Sequence, residues 1–140
     1  MTIIDRYLAY AADFDKSYVD DDWSRIAQYF TADAAYENEP AARGRDAVLA
    51  KFKSRVDGFD RTMRTRTVQF QPATAQGNTV TVRWTASYTS TGKPDLAFGG
   101  TEIAVFQGEC IANLRDEMDA GAQEAIGAWM AAHGGARQSG

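Results

Sequence analysis

The stretch from Val80 to Met118 constrains the fold most strongly, because it consists of three long β segments joined by two short turn signals. Apolar and polar side chains alternate along these segments, as they do in strands whose two faces meet different surroundings. A Gly99-Gly100 pair in the second segment predicts a bulge or a bend there. The expected strands are 79–90, 96–107 and 110–118.

One alternating face of this stretch collects polar side chains. Most of its members are polar or charged, and isolated charges are costly to bury. Such a face is therefore either exposed to water or part of a working pocket, and we interpret it as the floor of a pocket. Its members are Arg83, Thr85, Glu102, Asp116 and Met118.

The other face of strand 79–90 is apolar and includes Val82, Trp84 and Tyr88. Helices can cover only one face of the sheet, so we expect these three residues on the outer face. Large exposed apolar patches usually mark surfaces that bind a partner. The sequence therefore predicts a homodimer formed through this face.

The rest of the chain predicts four helices and two more strands. Apolar residues recur at helical spacing up to residue 59, and alternation begins after Arg61. Segregated helices and antiparallel strands indicate an α+β fold, with helices covering one face of a bent sheet. The expected helices are 3–18, a short one after Asp20–Asp22, 45–59 and 120–133, and the additional strands are 34–38 and 62–72.

Composition narrows the class of protein and its surroundings. The 140 residues suit one domain, which we place at 1–133, followed by a loose tail at 134–140. The net charge is −4 without a basic block, so nucleic acid is not an expected partner. A lone Cys110, no recognisable signal peptide and no apolar run that could span a membrane predict a cytoplasmic protein without a membrane partner.

Several stretches carry a family resemblance, namely Phe30–Pro40, Gly44–Val48, Val82–Thr85 and Ala104–Asp119. They resemble the nuclear transport factor 2-like (NTF2-like) superfamily, which includes ketosteroid isomerase, the SnoaL-like polyketide cyclases and limonene epoxide hydrolase. The resemblance covers roughly residues 3–133. It implies a cone-shaped, cystatin-like fold, in which a strongly bent antiparallel sheet wraps around the N-terminal helices. The expected ligand is a hydrophobic small molecule, but this fold hosts many chemistries.

Within that superfamily the motifs are most similar to those of limonene epoxide hydrolases. Tyr36 and Asn38 match a Tyr-x-Asn pair that holds a water with an Asp, which Asp116 matches. Arg83 matches the Arg that lies between two carboxylates in those enzymes. Thr85 stands where their proton-donating Asp would be, and a Thr hydroxyl is too weak an acid for that step.

The residues also predict chemistry without any family. Two carboxylates near one guanidinium can titrate apart, one as base and one as acid, when their surroundings differ. We expect Asp116 beside Arg83 to act as the general base and Glu102, on the neighbouring strand, to supply the second carboxylate. Tyr36 and Asn38 would orient a water or a substrate carbonyl. Further pocket residues are expected to be Phe14, Tyr18, Thr85, Phe106, Leu114 and Met118.

Two classes of function remain open. The first is an enzyme of isomerase, cyclase or epoxide hydrolase type, which needs no cofactor and acts on a hydrophobic cyclic substrate. The second is a ligand-binding or dimeric interaction module without catalysis, which the missing acid at Thr85 favours. For the single residues, the structural alternatives are an ion pair of Asp116 with Arg83 or Arg115 and a Glu102 that faces solvent. No metal site is expected, because the only histidine, His133, ends the last helix.

Overall fold

A computed structural model describes residues 2–134 of the chain. Its first half is mainly helical and its second half is a sheet, which confirms the predicted α+β class. The α-helices are α1 (Ile3–Asp20), α2 (Arg45–Gly58) and α3 (Ala122–Trp129), with 3-10 helices at Trp23–Tyr29 and Asp60–Thr62 and a π-helical turn at Met130–Gly134.

Seven strands form one curved sheet. In space they follow the order β2-β1-β7-β6-β5-β3, and β4 pairs with β5 beyond the end of β3. The pairing of β1 with β7 is parallel and the other pairings are antiparallel. The strands are β1 (Phe30–Tyr36), β2 (Ala42–Arg43), β3 (Thr65–Phe70), β4 (Thr74–Gln76), β5 (Thr79–Ser90), β6 (Lys93–Gln107) and β7 (Cys110–Met118).

Local side-chain caps explain where the N-terminal helices begin. Thr2 and Asp5 form a reciprocal capping box on α1, in which the Asp5 N–H donates to Thr2 Oγ1 over 3.1 Å. Asp22 then accepts from the Ser24 N–H over 3.2 Å and begins the second helix where it was predicted. That helix is of the 3-10 type and leads directly into β1.

The core is aromatic and lies between the helices and one face of the sheet. Tyr10 of α1 makes edge contacts with the rings of Tyr29 and Phe30, at centroid distances of 6.0 and 5.5 Å. Phe52 brings α2 into the same cluster through Phe14, at 5.3 Å. A smaller cluster of buried residues lies under the β3 side of the sheet. It consists of Met63, Ala86, Tyr88 and Leu96.

The orientation predicted for β5 is wrong. Val82 and Tyr88 are 1% and 5% exposed and pack inward, whereas Arg83 and Thr85 are exposed on the outer face. Every second residue of β5, up to Tyr88, is apolar and points to the inner face, as is usual for an antiparallel sheet with one solvated side. Val82, Trp84 and Tyr88 therefore do not form an outer apolar surface, and the observation on which the predicted homodimer depended is removed.

The Gly99-Gly100 pair makes no bulge, because its pairing with β5 is continuous. Instead it leaves room for an indole. A Cβ added at Gly100 would lie 2.7 Å from Trp84 Cζ2 and 2.8 Å from the Glu117 carbonyl oxygen. The register shifts of β6 occur elsewhere, between Tyr88 and Ser90 on β5 and between Val105 and Phe106 on β6.

No helix in residues 2–134 is long and apolar enough to cross a membrane. Residues 135–140, most of the tail predicted to be loose, lie outside the described part of the chain.

Candidate active site

A cavity of about 550 Å³ lies between the inner face of the sheet and the helices. Aromatic side chains supply much of its wall, and polar side chains are gathered in two groups. Ser54 and Arg55 of α2 and Gln123 of α3 line the cavity and are also exposed, so it opens to solvent beside these two helices. Its aromatic wall includes Phe59, Phe70, Trp84, Tyr88 and Phe98.

Two carboxyl groups face each other in this cavity. Glu102 of β6 and Asp116 of β7 are directly paired in register, and both line the cavity. Cross-strand neighbours on one face have Cβ atoms about 5 Å apart, so their carboxyl groups interact directly. Burial and then the charge of Asp116 raise the pKa of Glu102 well above its ordinary value. Glu102 therefore retains its proton to a higher pH than an ordinary glutamic acid.

Asp116 is held by side chains from β1, from β5 and from the loop that follows β1. Tyr36 Oη donates to Asp116 Oδ2 over 2.8 Å, and Trp84 Nε1 donates to Oδ1 over 3.1 Å. Asn38 accepts from the backbone N–H of Asp116 over 2.7 Å and donates to its carbonyl oxygen over 2.9 Å. The Asn38 amide therefore fixes the backbone of the carboxylate and is not free to orient a water.

Glu102 has its own donor from α1. Tyr7 Oη donates to Glu102 Oε1 over 2.5 Å, which leaves the other oxygen of Glu102 toward its Asp116 partner. Burial, followed by the nearby Glu102, raises the pKa of Tyr7 well above its ordinary value, so the phenol stays neutral. Each member of the pair thus has a phenol as hydrogen-bond donor.

Two cations from α2 lie close to Tyr36. Arg55 Nη1 donates to Tyr36 Oη, so this hydroxyl connects the guanidinium with Asp116. Lys51 Nζ lies 4.5 Å from the centroid of the Tyr36 ring and donates to the Asn38 carbonyl oxygen. Desolvation and the charge of Arg55 lower the pKa of Lys51.

A second polar group lies on the β3 side of the cavity. Arg66 Nε donates to Asp60 Oδ2 over 2.6 Å, and Tyr88 Oη donates to the same oxygen over 3.2 Å. Asp15 also pairs with Arg66, over 3.3 Å. The Arg66 guanidinium therefore has two carboxylate partners within the protein.

The structure brings together four of the five residues predicted to be catalytic, namely Tyr36, Asn38, Glu102 and Asp116. Arg83 is not among them, because it lies on the outer face and makes a two-pronged ion pair with Asp119. Directly paired residues point to the same face of the sheet. Arg83 is paired with Thr101 and not with Glu102, so it lies on the face opposite Glu102.

The predicted lining residues divide in the same way. Phe14 and Met118 line the cavity. Thr85 is exposed on the outer face, while Phe106 and Leu114 are buried in the core. Tyr18 packs under the Arg66 guanidinium, 4.8 Å from its ring centroid, outside the cavity lining.

Three site residues were missed by the sequence reasoning. Trp84 could have been found, because it shares parity with Val82, which is paired with Glu102. Tyr7 lies in the predicted apolar stripe of the first helix, where a phenol is indistinguishable from a core aromatic. Arg55 lies on the helix that covers the sheet, and no local pattern distinguishes it from a solvated arginine.

The arrangement places a proton donor and a proton acceptor side by side in an apolar cavity. A neutral carboxylic acid and a carboxylate in different surroundings can serve as general acid and general base in one reaction. Within residues 2–134, no three His, Cys, Asp or Glu side chains are gathered as a metal-binding group.

Comparison with known proteins gives one family match. The model of the SnoaL-like domain family matches residues 9–116. No curated protein sequence matches the chain.

Similar solved structures share the fold at low sequence identity. An NTF2-like protein of unknown function from Exiguobacterium sp. 255-15 is 20% identical with a TM-score of 0.63, covering 84% of this chain and 98% of its own. A putative polyketide cyclase from Sinorhizobium meliloti is 20% identical with a TM-score of 0.59, covering 82% and 93%. TerC, co-crystallised with polyporic acid, is 17% identical with a TM-score of 0.65, covering 87% and 95%.

Proposed function

Because this chain belongs to the SnoaL-like domain family, we propose that it is an enzyme for small molecules that uses Glu102 as general acid and Asp116 as general base. The observation that carries this proposal is the pairing of the two carboxyl groups in one cavity, with a raised pKa on Glu102. The raised pKa keeps a proton available at neutral pH, where an ordinary glutamic acid would have lost it.

In the proposed reaction Asp116 removes a proton from a carbon next to a carbonyl group of the substrate. Glu102 donates its proton to the carbonyl oxygen as negative charge develops there, which gives a neutral enol. In an isomerisation, Asp116 returns its proton to a different carbon of a conjugated enol while Glu102 takes back the proton of the enol hydroxyl group. In a cyclisation, the enol carbon attacks a second carbonyl group, Glu102 takes back the proton of the enol hydroxyl group and Asp116 protonates the new alkoxide. Both steps use proton transfers alone, so no cofactor is needed.

Epoxide opening is the less well supported version of this chemistry. It requires a water that is positioned beside the base by neighbouring polar groups. In this site the Asn38 amide is engaged by the Asp116 backbone, and the Tyr36 hydroxyl already donates to the Asp116 carboxylate. These contacts favour proton transfer at carbon, although Glu102 could supply the acid that Thr85 cannot.

The substrate we propose is a hydrophobic cyclic carbonyl compound. The aromatic wall offers flat surfaces to rings, and a volume of about 550 Å³ is within the usual range for small-molecule sites. One of the structural relatives, from Sinorhizobium meliloti, is a putative polyketide cyclase, which agrees with this substrate class.

The proposal is tested with the Asp116→Asn variant on a panel of cyclic ketones and diketones. We expect turnover to fall by about 10²–10⁴-fold, because the base is removed while the shape of the side chain is kept. Ligand affinity should stay within about threefold of the wild-type value, because the base acts on the substrate in the transition state and contributes little to binding the ground state. Proton exchange at the α-carbon, followed by NMR in D₂O, measures the chemical step directly.

Asp119→Asn is the matched control, because this aspartate pairs with Arg83 on the outer face. It should retain wild-type turnover. Wild-type rates in Asp116→Asn would overturn the assignment of the base. Ligand binding by the wild-type protein with no exchange or turnover anywhere on the panel would identify a binding module instead of an enzyme.

A further inference from the structure

We propose that Arg55 binds a carboxylate group of the substrate, so that the compounds this cavity accepts are cyclic or aromatic carboxylic acids. This inference rests on the proposed function only in placing the substrate in the same cavity. It assigns a recognition role to a residue outside the acid–base pair.

Arg55 is positioned to meet a ligand as it enters. It lies on α2 where the cavity opens, lines the cavity and is exposed to solvent. Its guanidinium carbon is 5.5 Å from the centroid of the Tyr36 ring, and Nη1 donates to the hydroxyl of that ring. A group bound by Arg55 is therefore one hydroxyl away from Asp116.

The donors of Arg55 are largely unused by the protein. Among residues 2–134 no carboxylate lies within 4.0 Å of its guanidinium, and the Tyr36 hydroxyl is its one hydrogen-bond acceptor. The other arginine of the cavity, Arg66, differs in that it is paired with both Asp60 and Asp15. Nε and Nη2 of Arg55 consequently remain available, and an arginine fork fits a carboxylate with two parallel hydrogen bonds.

Within the described part of the chain, the side chains around Arg55 leave its positive charge without a direct partner. Asp60 is paired with Arg66, and both oxygens of Asp116 accept hydrogen bonds within the protein. Lys51 adds a second positive charge beside Tyr36, which the exposed Glu39 offsets only in part. An incoming carboxylate would therefore meet two cations, Arg55 and Lys51, at the edge of an apolar cavity.

This placement gives the carboxylate a catalytic consequence. When Arg55 holds the carboxylate group of a substrate, the carbon atoms next to that group lie toward the Glu102–Asp116 pair. Orientation of the reacting atoms by a guanidinium clamp is a recognised source of rate enhancement. Arg55 would thus decide which carbon of the substrate is presented to the base.

The experiment compares two probes of nearly equal shape, 2-naphthoate and 2-naphthamide, by isothermal titration calorimetry at neutral pH. We expect the wild-type protein to bind the acid about 10- to 100-fold more tightly than the amide, the range expected for hydrogen bonds to a charged group. Arg55→Gln should lose this preference, because its affinity for the acid falls while its affinity for the amide stays the same. Arg55→Lys, which keeps the charge but not the fork, should retain only part of it.

Arg64→Gln is the matched control, since Arg64 is exposed and does not line the cavity. It should keep the wild-type preference for the acid. Equal affinities for the two probes in the wild-type protein, no binding of the acid at millimolar concentration, or an unchanged preference in Arg55→Gln would each overturn the inference. Circular dichroism on each variant establishes that it is folded.

Failure of this inference can be distinguished from failure of the proposed function. Asp116→Asn should still bind 2-naphthoate more tightly than 2-naphthamide, because the probe is held by Arg55 and not by the base. If turnover proves independent of Asp116 while the Arg55 preference is found, the acid–base proposal fails and the recognition site stands. If turnover depends on Asp116 but no preference is found, only the recognition site fails.

Discussion

At the scale of single residues, the protonation of Glu102 determines what the site can do. An ordinary surface glutamate is ionised above a pH of about 4.5 and could not donate a proton at neutral pH. Here burial and the adjacent Asp116 act in the same direction and raise the pKa of Glu102. The Tyr7 hydroxyl opposes this effect by donating to the carboxyl group, but it is outweighed.

This protonation predicts a pH-dependent cost to folding. The pKa of Glu102 in the folded protein is raised above its unfolded value, about 4.5. Folded protein therefore binds more protons than unfolded protein between these two values, and the stability contributed by neutral Glu102 falls as pH rises through that window. Glu102→Gln should remove this dependence. We expect the variant to gain in free energy of unfolding relative to the wild type as pH rises from about 4.5.

Urea denaturation of both proteins at a series of pH values measures the difference. Glu117→Gln serves as the control, because Glu117 is exposed and is paired with Thr101 on the outer face. The free energy of unfolding of Glu117→Gln relative to the wild type should not rise with pH. A Glu102→Gln difference that is constant with pH would show that Glu102 is ionised in the folded protein.

At the scale of the strands, the contact between β5 and β6 positions the site. The Trp84 indole crosses Gly100, the residue paired with it, and so reaches the carboxylate of Asp116 on β7. A side chain at Gly100 would occupy the place of the indole. The glycine is therefore required by packing around the site and not by an unusual backbone angle.

Gly100→Ala should destabilise the protein by about 1–3 kcal/mol, because the added methyl group overlaps both the indole and the backbone of β7. It should also displace Trp84 from Asp116 and change the tryptophan fluorescence. Gly127→Ala, in α3 with nothing within 4 Å of the added Cβ, should be neutral or stabilising by up to about 1 kcal/mol. Urea denaturation compares the two, and equal stabilities would contradict the packing role of Gly100.

The strands show how much of this fold could be predicted from the sequence. The bounds of β5 and β7 follow from alternation and turn residues, which are local properties. The direction in which β5 faces is a tertiary property, and we assigned its polar side to the cavity. A solvated outer face with Arg83 and Thr85 explains the same alternation, and the pairing of Glu102 with Val82 decides between the two.

The site was predictable where strand pairing brings residues together. Glu102 and Asp116 are nearly equidistant from the turn that joins their strands, so their meeting follows from one hairpin. Tyr7 reaches Glu102 from α1, and Arg55 reaches the Tyr36 hydroxyl from α2. Their contribution depends on how the helices pack on the sheet, which the sequence pattern does not specify.

At the scale of the whole molecule, the core is divided between packing and binding. The buried cluster of Phe106, Ile111 and Leu114 is closed, whereas the wall around Trp84 and Tyr88 borders the cavity. Val68 of β3 belongs to that wall and is half-buried. A larger side chain at Val68 can therefore be accommodated in the cavity without disturbing the closed cluster.

Val68→Phe should fold normally and weaken binding of 2-naphthoate by more than about tenfold, because its ring occupies space that the ligand needs. Thr67→Phe places the same ring on the outer face, since Thr67 is exposed. It should leave the affinity unchanged. Calorimetry measures both affinities, and equal weakening by the two variants would show that the ligand does not occupy the cavity.

The hydrogen bond from Trp84 to the Asp116 carboxylate makes this tryptophan an intrinsic spectroscopic probe of the cavity. Each of the protein's three tryptophans donates its indole N–H to a different acceptor: Asp21 over 2.8 Å, the Pro94 carbonyl over 2.9 Å and Asp116 over 3.1 Å. Of these indoles, that of Trp84 lines the cavity. The chemical shift of its indole proton reads the charge on the base from inside the site. Ligands and pH can thus be followed on the unmodified chain at the carboxylate that we propose as the base.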